Sequence, residues 1–355
     1  MDTQKRLELI KQVGEEIVTE EELIQLLNQK KSFIAYDGFE PSGFAHLPFA
    51  IYRAINIQKM VEAGAVFKLW IADYHAMANN KFEGNLEMIQ TCGNYFIEVW
   101  KAAGVPVEDK KKIQIEWASQ KMDSLDYWHR VLEVGRNITL PRLTRALSIM
   151  GRKESENLHA AQLYYPCMQV ADIFELDVDI CQLGLDQRRA NILAREVADK
   201  TGWKKPVAVH HHMLHSLQGV KEADPLESKM SKSKPESAIF VHDSVEVIQQ
   251  KINKAYCPEK ITENNPVLDY CKHMVFEKFS EMKIQRPEKF GGNLEIQSYL
   301  ELEILFREGK LHPMDLKKST GFYLNELIQP IREHFEKNKK AKELYEKLLQ
   351  AKVTR

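Results

Sequence analysis

Cysteine is scarce in this chain and cannot be paired off. There are five in 355 residues (Cys92, Cys167, Cys181, Cys257 and Cys271), an odd number with no C-x-x-C pair among them. That argues against a disulfide framework and a structural zinc site, and for a reducing compartment. Long apolar runs are missing too: none reaches the ~18 residues that a membrane span needs. The start, MDTQKRLELI, lacks the pattern of a signal peptide. We therefore expect a cytoplasmic protein with no membrane association. Neither sign of charge dominates, since 50 Lys+Arg stand against 51 Asp+Glu. The chain as a whole does not advertise a polyanionic partner. Internal repeats and low-complexity tracts are also absent.

What remains is an ordinary globular balance, with 44% hydrophobic and 28% charged residues. At about 150 residues per domain, the length suggests roughly two domains. Charge is uneven at the ends. Residues 1–30 hold four basic and seven acidic side chains, whereas residues 332–355 hold eight basic and four acidic. The basic end fits either contact with phosphates or the solvated face of a surface helix.

Thr19 followed by Glu22 forms a capping box opening a helix over 20–28. Residues 32–36 (SFIAY) read as a strand that ends in a turn-rich segment, 37–43 (DGFEPSG). Apolar spacing predicts helices over 50–63, 86–103, 155–174 and 187–199. Strands are predicted over 67–72, 113–117, 178–181 and 207–210. This alternation points to an α/β fold, a parallel sheet with helices on both faces. Such sheets bind ligands beyond the carboxyl ends of their strands. The segments after residues 36 and 72 lie at such ends. Strand signals fade after about residue 243, so we divide the chain into a catalytic-type α/β domain, 1–242, and an α-helical domain, 243–355.

Two short stretches draw attention. In GFAHLPF (43–49) a helix N-terminus offers free amides and a positive dipole end, suited to phosphate, and His46 adds a donor. By itself a histidine at a helix start is more often a cap or a surface residue. In KMSKSKP (229–235) three lysines alternate with small residues on a loop framed by Pro225 and Pro235. Such a loop can close over a triphosphate and neutralise charge developing in a transition state. Composition alone would favour a solvated basic loop.

The five residues Lys229, Met230, Ser231, Lys232 and Ser233 read KMSKS, the signature loop of class I aminoacyl-tRNA synthetases, and 43–49 occupies the place of their HIGH motif. YDGFEPSG (36–43), YPCMQVADI (165–173) and GLDQR (184–188) resemble tyrosyl-tRNA synthetases of the archaeal and eukaryotic type. RPEKFGG (286–292) and LHPMDLK (311–317) are similar to the archaeal enzymes. The likeness runs from residue 36 to the end in the family's order. It implies a Rossmann-like catalytic domain, an α-helical anticodon-binding domain and a homodimer. It also implies ATP with Mg²⁺, L-tyrosine and tRNA(Tyr) as the molecules handled. The chain departs from the motif at Pro48 and Phe49, which stand where the family has Gly and the second His. Pro48 removes an amide donor and Phe49 cannot donate to a phosphate, so His46 carries over and Phe49 does not.

The resemblance assigns Tyr36 and Asp172 to the phenol oxygen of tyrosine, and side-chain chemistry agrees, since together they supply a donor and an acceptor. Tyr165, Gln169 and Gln187 fall at the ammonium end, and His75 in the same pocket. Tyr165, Gln169 and Asp172 are spaced by four and three, one face of a helix. Gly38, Gly184 and Asp186 are implied at the adenosine, with a carboxylate for the ribose hydroxyls. His46, Lys229 and Lys232 are implied as catalytic charge stabilisers, and the KMSKS residues as ATP contacts. Phe290, His312 and Asp315 fall at the anticodon, where a ring stacks on an unpaired base and polar groups read its edge. Arg188 and Arg189 suit the tRNA acceptor end and ordinary ion pairs equally. No metal ligand is assigned. His210-His211-His212 alternate if they lie on a strand, and no neighbouring carboxylate completes a set. Two rivals remain: a tryptophanyl-tRNA synthetase, whose indole substrate needs only an acceptor, and a non-catalytic RNA-binding protein on the same scaffold.

Overall fold

The computed structural model describes residues 1–151, 158–219, 230 and 235–351. Its centre is a six-stranded sheet built from β1 (Glu16–Val18), β2 (Phe33–Phe39), β3 (Ala65–Ile71), β4 (Ile113–Trp117), β5 (Ile180–Gly184) and β6 (Val207–His211). The strand order is β1-β6-β5-β2-β3-β4, with β1 antiparallel and every other pair parallel. This is the Rossmann-like α/β arrangement expected from the sequence. Between β2 and β5 the winding changes direction, which opens a crevice at their carboxyl ends.

The capping box is present. Thr19 Oγ1 accepts from the Glu22 amide and Glu22 answers the Thr19 amide, both at 3.2 Å, opening the helix Glu20–Gln29. β2 runs further than its sequence suggests, because Asp37, Gly38 and Phe39 pair with Leu69, Trp70 and Ile71 of β3. Parallel pairing with β3 overrides the turn propensity of Asp-Gly, and the loop begins only at Glu40. Likewise the helix expected over 50–63 opens with a π-helical turn, Pro48–Tyr52, and becomes regular at Arg53–Glu62. Pro48 sits where a first-turn amide would have no partner. β1 was not foreseen; three residues carry too little periodicity to register. Nor was the ribbon of β7 (Met282–Ile284) and β8 (Leu294–Ile296) in the otherwise helical C-terminal half.

Strand alternation sorts the core into two faces. Phe33, Ala35 and Phe39 of β2 join Phe67, Leu69 and Ile71 of β3 in the larger apolar cluster. Tyr36, Trp70, Cys181 and Leu183 point the other way, into a second cluster with Tyr127 and residues of the helix Ala160–Glu175. The larger cluster continues without a break through Val267, Met274, Leu324 and Ile328, so both halves of the chain share one core. All five cysteines are buried and free. Among the described residues, no helix is long and apolar enough to cross a membrane.

The C-terminal helix Lys339–Gln350 turns its basic side outward and buries Ala341 and Leu348. Its Tyr345 ring stacks on His242, centroids 3.9 Å apart, at the junction of the two halves. Tyr95 Oη lies 2.9 Å from His242 Nε2, and Phe335 meets the ring edge-on. Burial, reinforced by the Arg332 charge, holds the His242 imidazole down at about 4. In the unfolded chain this group takes up its proton near pH 6.5. Its folded-state pKa is depressed, so stability is full above about pH 6.5 and is lost as pH falls towards 4. Between pH 7 and pH 5 the loss is about 2 kcal/mol. His242→Phe keeps a ring against Tyr345 but cannot titrate. Urea-unfolding midpoints at the two pH values are expected to show that variant losing about 2 kcal/mol less than the parent; equal losses would clear His242 of the acid response.

Candidate active site

A cavity of about 260 Å³ opens at the crevice between β2 and β5. Strand β2 and its loop contribute Tyr36 through Glu40 and Ser42; β3 and the helix after it contribute Trp70, Ala72 and His75. Tyr165, Gln169 and Asp172 project from one face of the helix Ala160–Glu175, and Asp186 and Gln187 follow β5. Phe49 and Arg53 close the remaining side. Eight of the residues expected at the tyrosine and adenosine sites (Tyr36, Gly38, His75, Tyr165, Gln169, Asp172, Asp186 and Gln187) therefore meet at one cavity.

Asp172 lies at its floor, 1% exposed. Trp70 Nε1 donates to its Oδ2 at 3.0 Å, and Tyr127 Oη donates to its Oδ1 at 2.8 Å. His75 Nε2 stands 3.0 Å from Oδ2, at ion-pair distance but off the hydrogen-bond line. A carboxylate has about four acceptor positions, so room remains for another donor. Tyr36 Oη is buried beside this carboxylate and makes no hydrogen bond to the protein. Burial pushes the Tyr36 phenol well above its usual pKa, and the Asp172 charge adds to the effect, so it stands as an O–H group. An unsatisfied buried hydroxyl costs about 1–3 kcal/mol, which a polar ligand group would relieve.

Further along the cavity, Gln169 Nε2 donates to Gln187 Oε1 at 3.0 Å, and Gln187 Nε2 donates to Ile149 O at 3.2 Å. The His75 and Tyr165 rings meet edge-to-face at 5.0 Å. Gly184 is not in the lining, but a side chain there would displace its neighbours. A Cβ there would stand 2.5 Å from Asp186 Oδ1 and 2.7 Å from Met213 Sδ. The glycine thus makes room for the carboxylate itself.

Sequence reading missed four participants. Trp70 and Tyr127 hold Asp172, and both look like plain core aromatics in the sequence. Asp37 and Arg53 form a salt bridge at the cavity wall. Burial lowers the Arg53 guanidinium to about 10, against a raising contribution from Asp186. An arginine in the middle of a predicted helix gives no local sign of this.

Other expectations need correction or placement. His46 does not line the cavity; its backbone forms an isolated bridge with Phe240, and the two rings lie 6.4 Å apart. The helix start offers fewer free amides than expected, because the Leu47 amide donates to Ile239 O and Pro48 has none. Phe49 fills the wall by stacking on Trp100 at 4.8 Å and packing on Phe96 and Phe39. Met230 is buried in the larger apolar cluster, its amide donating to Leu214 O. Lys229, Ser231, Lys232 and Ser233 lie outside the described residues. Arg188 pairs with Glu16 at 2.8 Å, and Arg189 donates to Arg145 O at 2.9 Å, so both arginines have partners within the chain.

In the C-terminal half Phe290 is 60% exposed on a turn that ends in Gly291 and Gly292, both in the left-handed region. His312 caps the helix Pro313–Lys337 by accepting from the Met314 amide, and Asp315 sits in its first turn. Arg286 ties these places together, donating to Gly292 O at 2.6 Å and to Lys310 O at 2.7 Å.

Comparison with known proteins places this fold. Residues 28–329 match the family model of tRNA synthetases class I (W and Y), and the chain belongs to that family. Within it, the chain belongs with the tyrosine–tRNA ligases. It is 44% identical over 357 residues to tyrosine–tRNA ligase 1, cytoplasmic, of Arabidopsis thaliana, covering all of this chain and 90% of that one. It is 43% identical to the tyrosine–tRNA ligase of Saccharolobus islandicus strain L.S.2.15, with both chains covered in full. A tyrosyl-tRNA synthetase structure from Pyrococcus horikoshii, complexed with L-tyrosine, superposes with a TM-score of 0.89 at 38% identity, covering 98% of this chain and all of that one.

The buried pair gives a stability test. Arg53→Met leaves the Asp37 carboxylate buried without its partner, which is expected to cost about 3–5 kcal/mol. Adding Asp37→Asn removes the stranded charge and should restore at least half of the loss in urea unfolding. If the double variant is no more stable than the single, the charge pairing is not what Arg53 contributes.

Proposed function

We propose that this chain joins tyrosine to tRNA(Tyr) in two steps. A carboxylate oxygen of tyrosine attacks the α-phosphorus of ATP, forming tyrosyl-adenylate and expelling pyrophosphate. A hydroxyl of the terminal adenosine of the tRNA then attacks the activated carbonyl, and AMP leaves. No side-chain nucleophile is needed; the protein positions the reactants and stabilises developing charge.

The observation that carries this reading is the unpartnered Tyr36 hydroxyl beside the Asp172 carboxylate at the cavity floor. A phenol donates its proton to Asp172 and accepts from Tyr36, using both groups at once. An indole has one donor and no acceptor, so a tryptophan would leave Tyr36 unsatisfied. Trp70, Tyr127 and His75 hold the carboxylate in place. Tyr165, Gln169 and Gln187 take the ammonium end. Asp186 takes the ribose hydroxyls, with Gly184 clearing its space and Gly38 beside the nucleoside. His46, Lys229 and Lys232 stabilise the triphosphate as it reorganises, with Met230, Ser231 and Ser233 completing the loop. Mg²⁺ enters as part of the nucleotide substrate, a hard cation suited to phosphate oxygens.

Residues 1–242 carry the adenylate chemistry and 243–355 the anticodon contacts. The exposed turn of Phe290 and the His312–Asp315 helix start, joined through Arg286, suit a base that stacks and is read on its edge. A second copy of the chain is the partner we assign to the exposed apolar residues Leu125, Leu132, Leu140 and Tyr164, which are 57–79% exposed. We place the enzyme in the cytoplasm.

ATP–pyrophosphate exchange with each amino acid tests the reading. Exchange with tyrosine is expected, and exchange driven by tryptophan, or by none, would overturn it. Tyr36→Phe should narrow the preference for tyrosine over phenylalanine by about tenfold to a hundredfold, the value of one buried hydroxyl contact. An unchanged preference would take Tyr36 out of the pocket. Lys229→Ala and Lys232→Ala should slow adenylate formation far more than they weaken tyrosine binding. A rise in the tyrosine KM with kcat intact would remove that role.

The anticodon contacts have a separate readout. Phe290→Ala should lower aminoacylation about tenfold to a hundredfold, from a lost stack of about 1–3 kcal/mol, with pyrophosphate exchange near the parent's. Asp315→Ala should relax discrimination at one anticodon base, as a base-edge contact does. Loss of pyrophosphate exchange in both variants would mean that these residues hold the fold together.

A further inference from the structure

A second polar cavity, of about 420 Å³, lies where the chain leaves β6 and meets the C-terminal half. Strand alternation does not govern the three consecutive histidines here, because β6 ends at His211. His210 is held by Glu16 and Asn191, and His211 by Gln182. His212 points elsewhere. Its Nε2 lies 2.9 Å from Asp269 Oδ1, and His273 Nε2 lies 3.5 Å from the same oxygen. The donor atoms of all three side chains fall within 4.8 Å of one another. Asp269 and His273 come from a helical segment more than fifty residues away in sequence, so the strand pattern could not reveal them.

We propose that His212, Asp269 and His273 form a binding site for a zinc-class divalent cation. At metal–ligand lengths of about 2.0–2.1 Å, the donors of a tetrahedral site stand about 3.3–3.5 Å apart. The separations of 2.9 and 3.5 Å are near that edge length, and small rotations would equalise them. The His212 and His273 rings already lie parallel, 4.5 Å apart with 15° between their planes, both presenting Nε2 to the carboxylate.

The surroundings have the order a metal site needs. His212 Nδ1 is 3.1 Å from Glu15 Oε2, a carboxylate–histidine pair that orients the ring with Nε2 towards the cluster. Asp269 Oδ2 accepts the His215 amide at 2.9 Å, which leaves Oδ1 to face the histidines. His215 Nδ1, 3.6 Å from Asp269 Oδ2, is buried without a hydrogen bond but lies outside this group of three, so a water molecule would complete a four-coordinate set. The cavity supplies the route in. Two cations line it, and both are engaged: Lys11 with Glu20, and Lys272 over the Tyr299 ring. Imidazole nitrogen with carboxylate oxygen selects zinc-class ions over Mg²⁺. A bound ion would clamp the segment after β6 to the helix Pro266–Tyr270 and the turn that follows it.

The test is metal binding by the full chain after chelator treatment, read by calorimetry with Zn²⁺ and by visible absorption with Co²⁺. About one equivalent per chain is expected, undisturbed by excess Mg²⁺, with the absorption of four-coordinate Co²⁺. His273→Ala and Asp269→Asn should weaken binding at least tenfold. Glu15→Gln, a shape-preserving change at a half-exposed position, should weaken it about tenfold through the orientation of His212. His129→Ala, remote from the cluster, should leave it unchanged. Absence of a stoichiometric site in the parent would overturn the proposal. So would parent-like affinity in both His273→Ala and Glu15→Gln.

Discussion

A carboxylate in an apolar interior must be surrounded by donors or it will not stay charged there. Asp172 meets that demand with two hydrogen-bond donors, Trp70 on β3 and Tyr127 on the helix Leu125–Arg136, while His75 on the helix after β3 stands at ion-pair distance. Each donor comes from a separate element, so the carboxylate fixes the sheet, the helix Ala160–Glu175 and their neighbour in mutual register. The same arrangement leaves acceptor capacity facing the cavity. What stabilises this part of the fold therefore also shapes the cavity floor, and neither can be altered alone.

The sheet decides where that carboxylate can be useful. With order β6-β5-β2-β3-β4 in its parallel part, the crevice lies between β2 and β5, and the last residues of both strands open into it. Strand alternation then assigns faces. Tyr36 and Trp70 point towards the Asp172 helix, while Asp37 joins Arg53 on the opposite wall. Adjacent residues of one strand thus serve two sides of one cavity.

The departure from the HIGH signature has a packing counterpart. Phe49 stands in a cluster with Phe39, Phe96 and Trp100, and Trp100 Nε1 donates to Phe49 O at 3.3 Å. A histidine there would place a polar ring in that apolar cluster. Pro48 opens the π-helical turn that carries Phe49 into the wall. The segment anchors the cavity wall by packing.

By itself the sequence determined the alternation of strands and helices, the capping box at Thr19, and the one-face spacing of Tyr165, Gln169 and Asp172. These depend on local periodicity and capping, which neighbouring residues carry. Motif resemblance supplied the other expected residues that meet at the cavity. Only the tertiary structure decided the extension of β2 through Asp37–Phe39, since the decisive hydrogen bonds come from β3. It alone joined Arg53 to Asp37, Trp70 and Tyr127 to Asp172, and Asp269 to His212. Partners separated by 16 to more than 100 residues leave no periodic trace, because burial and charge pairing act through space and not along the chain.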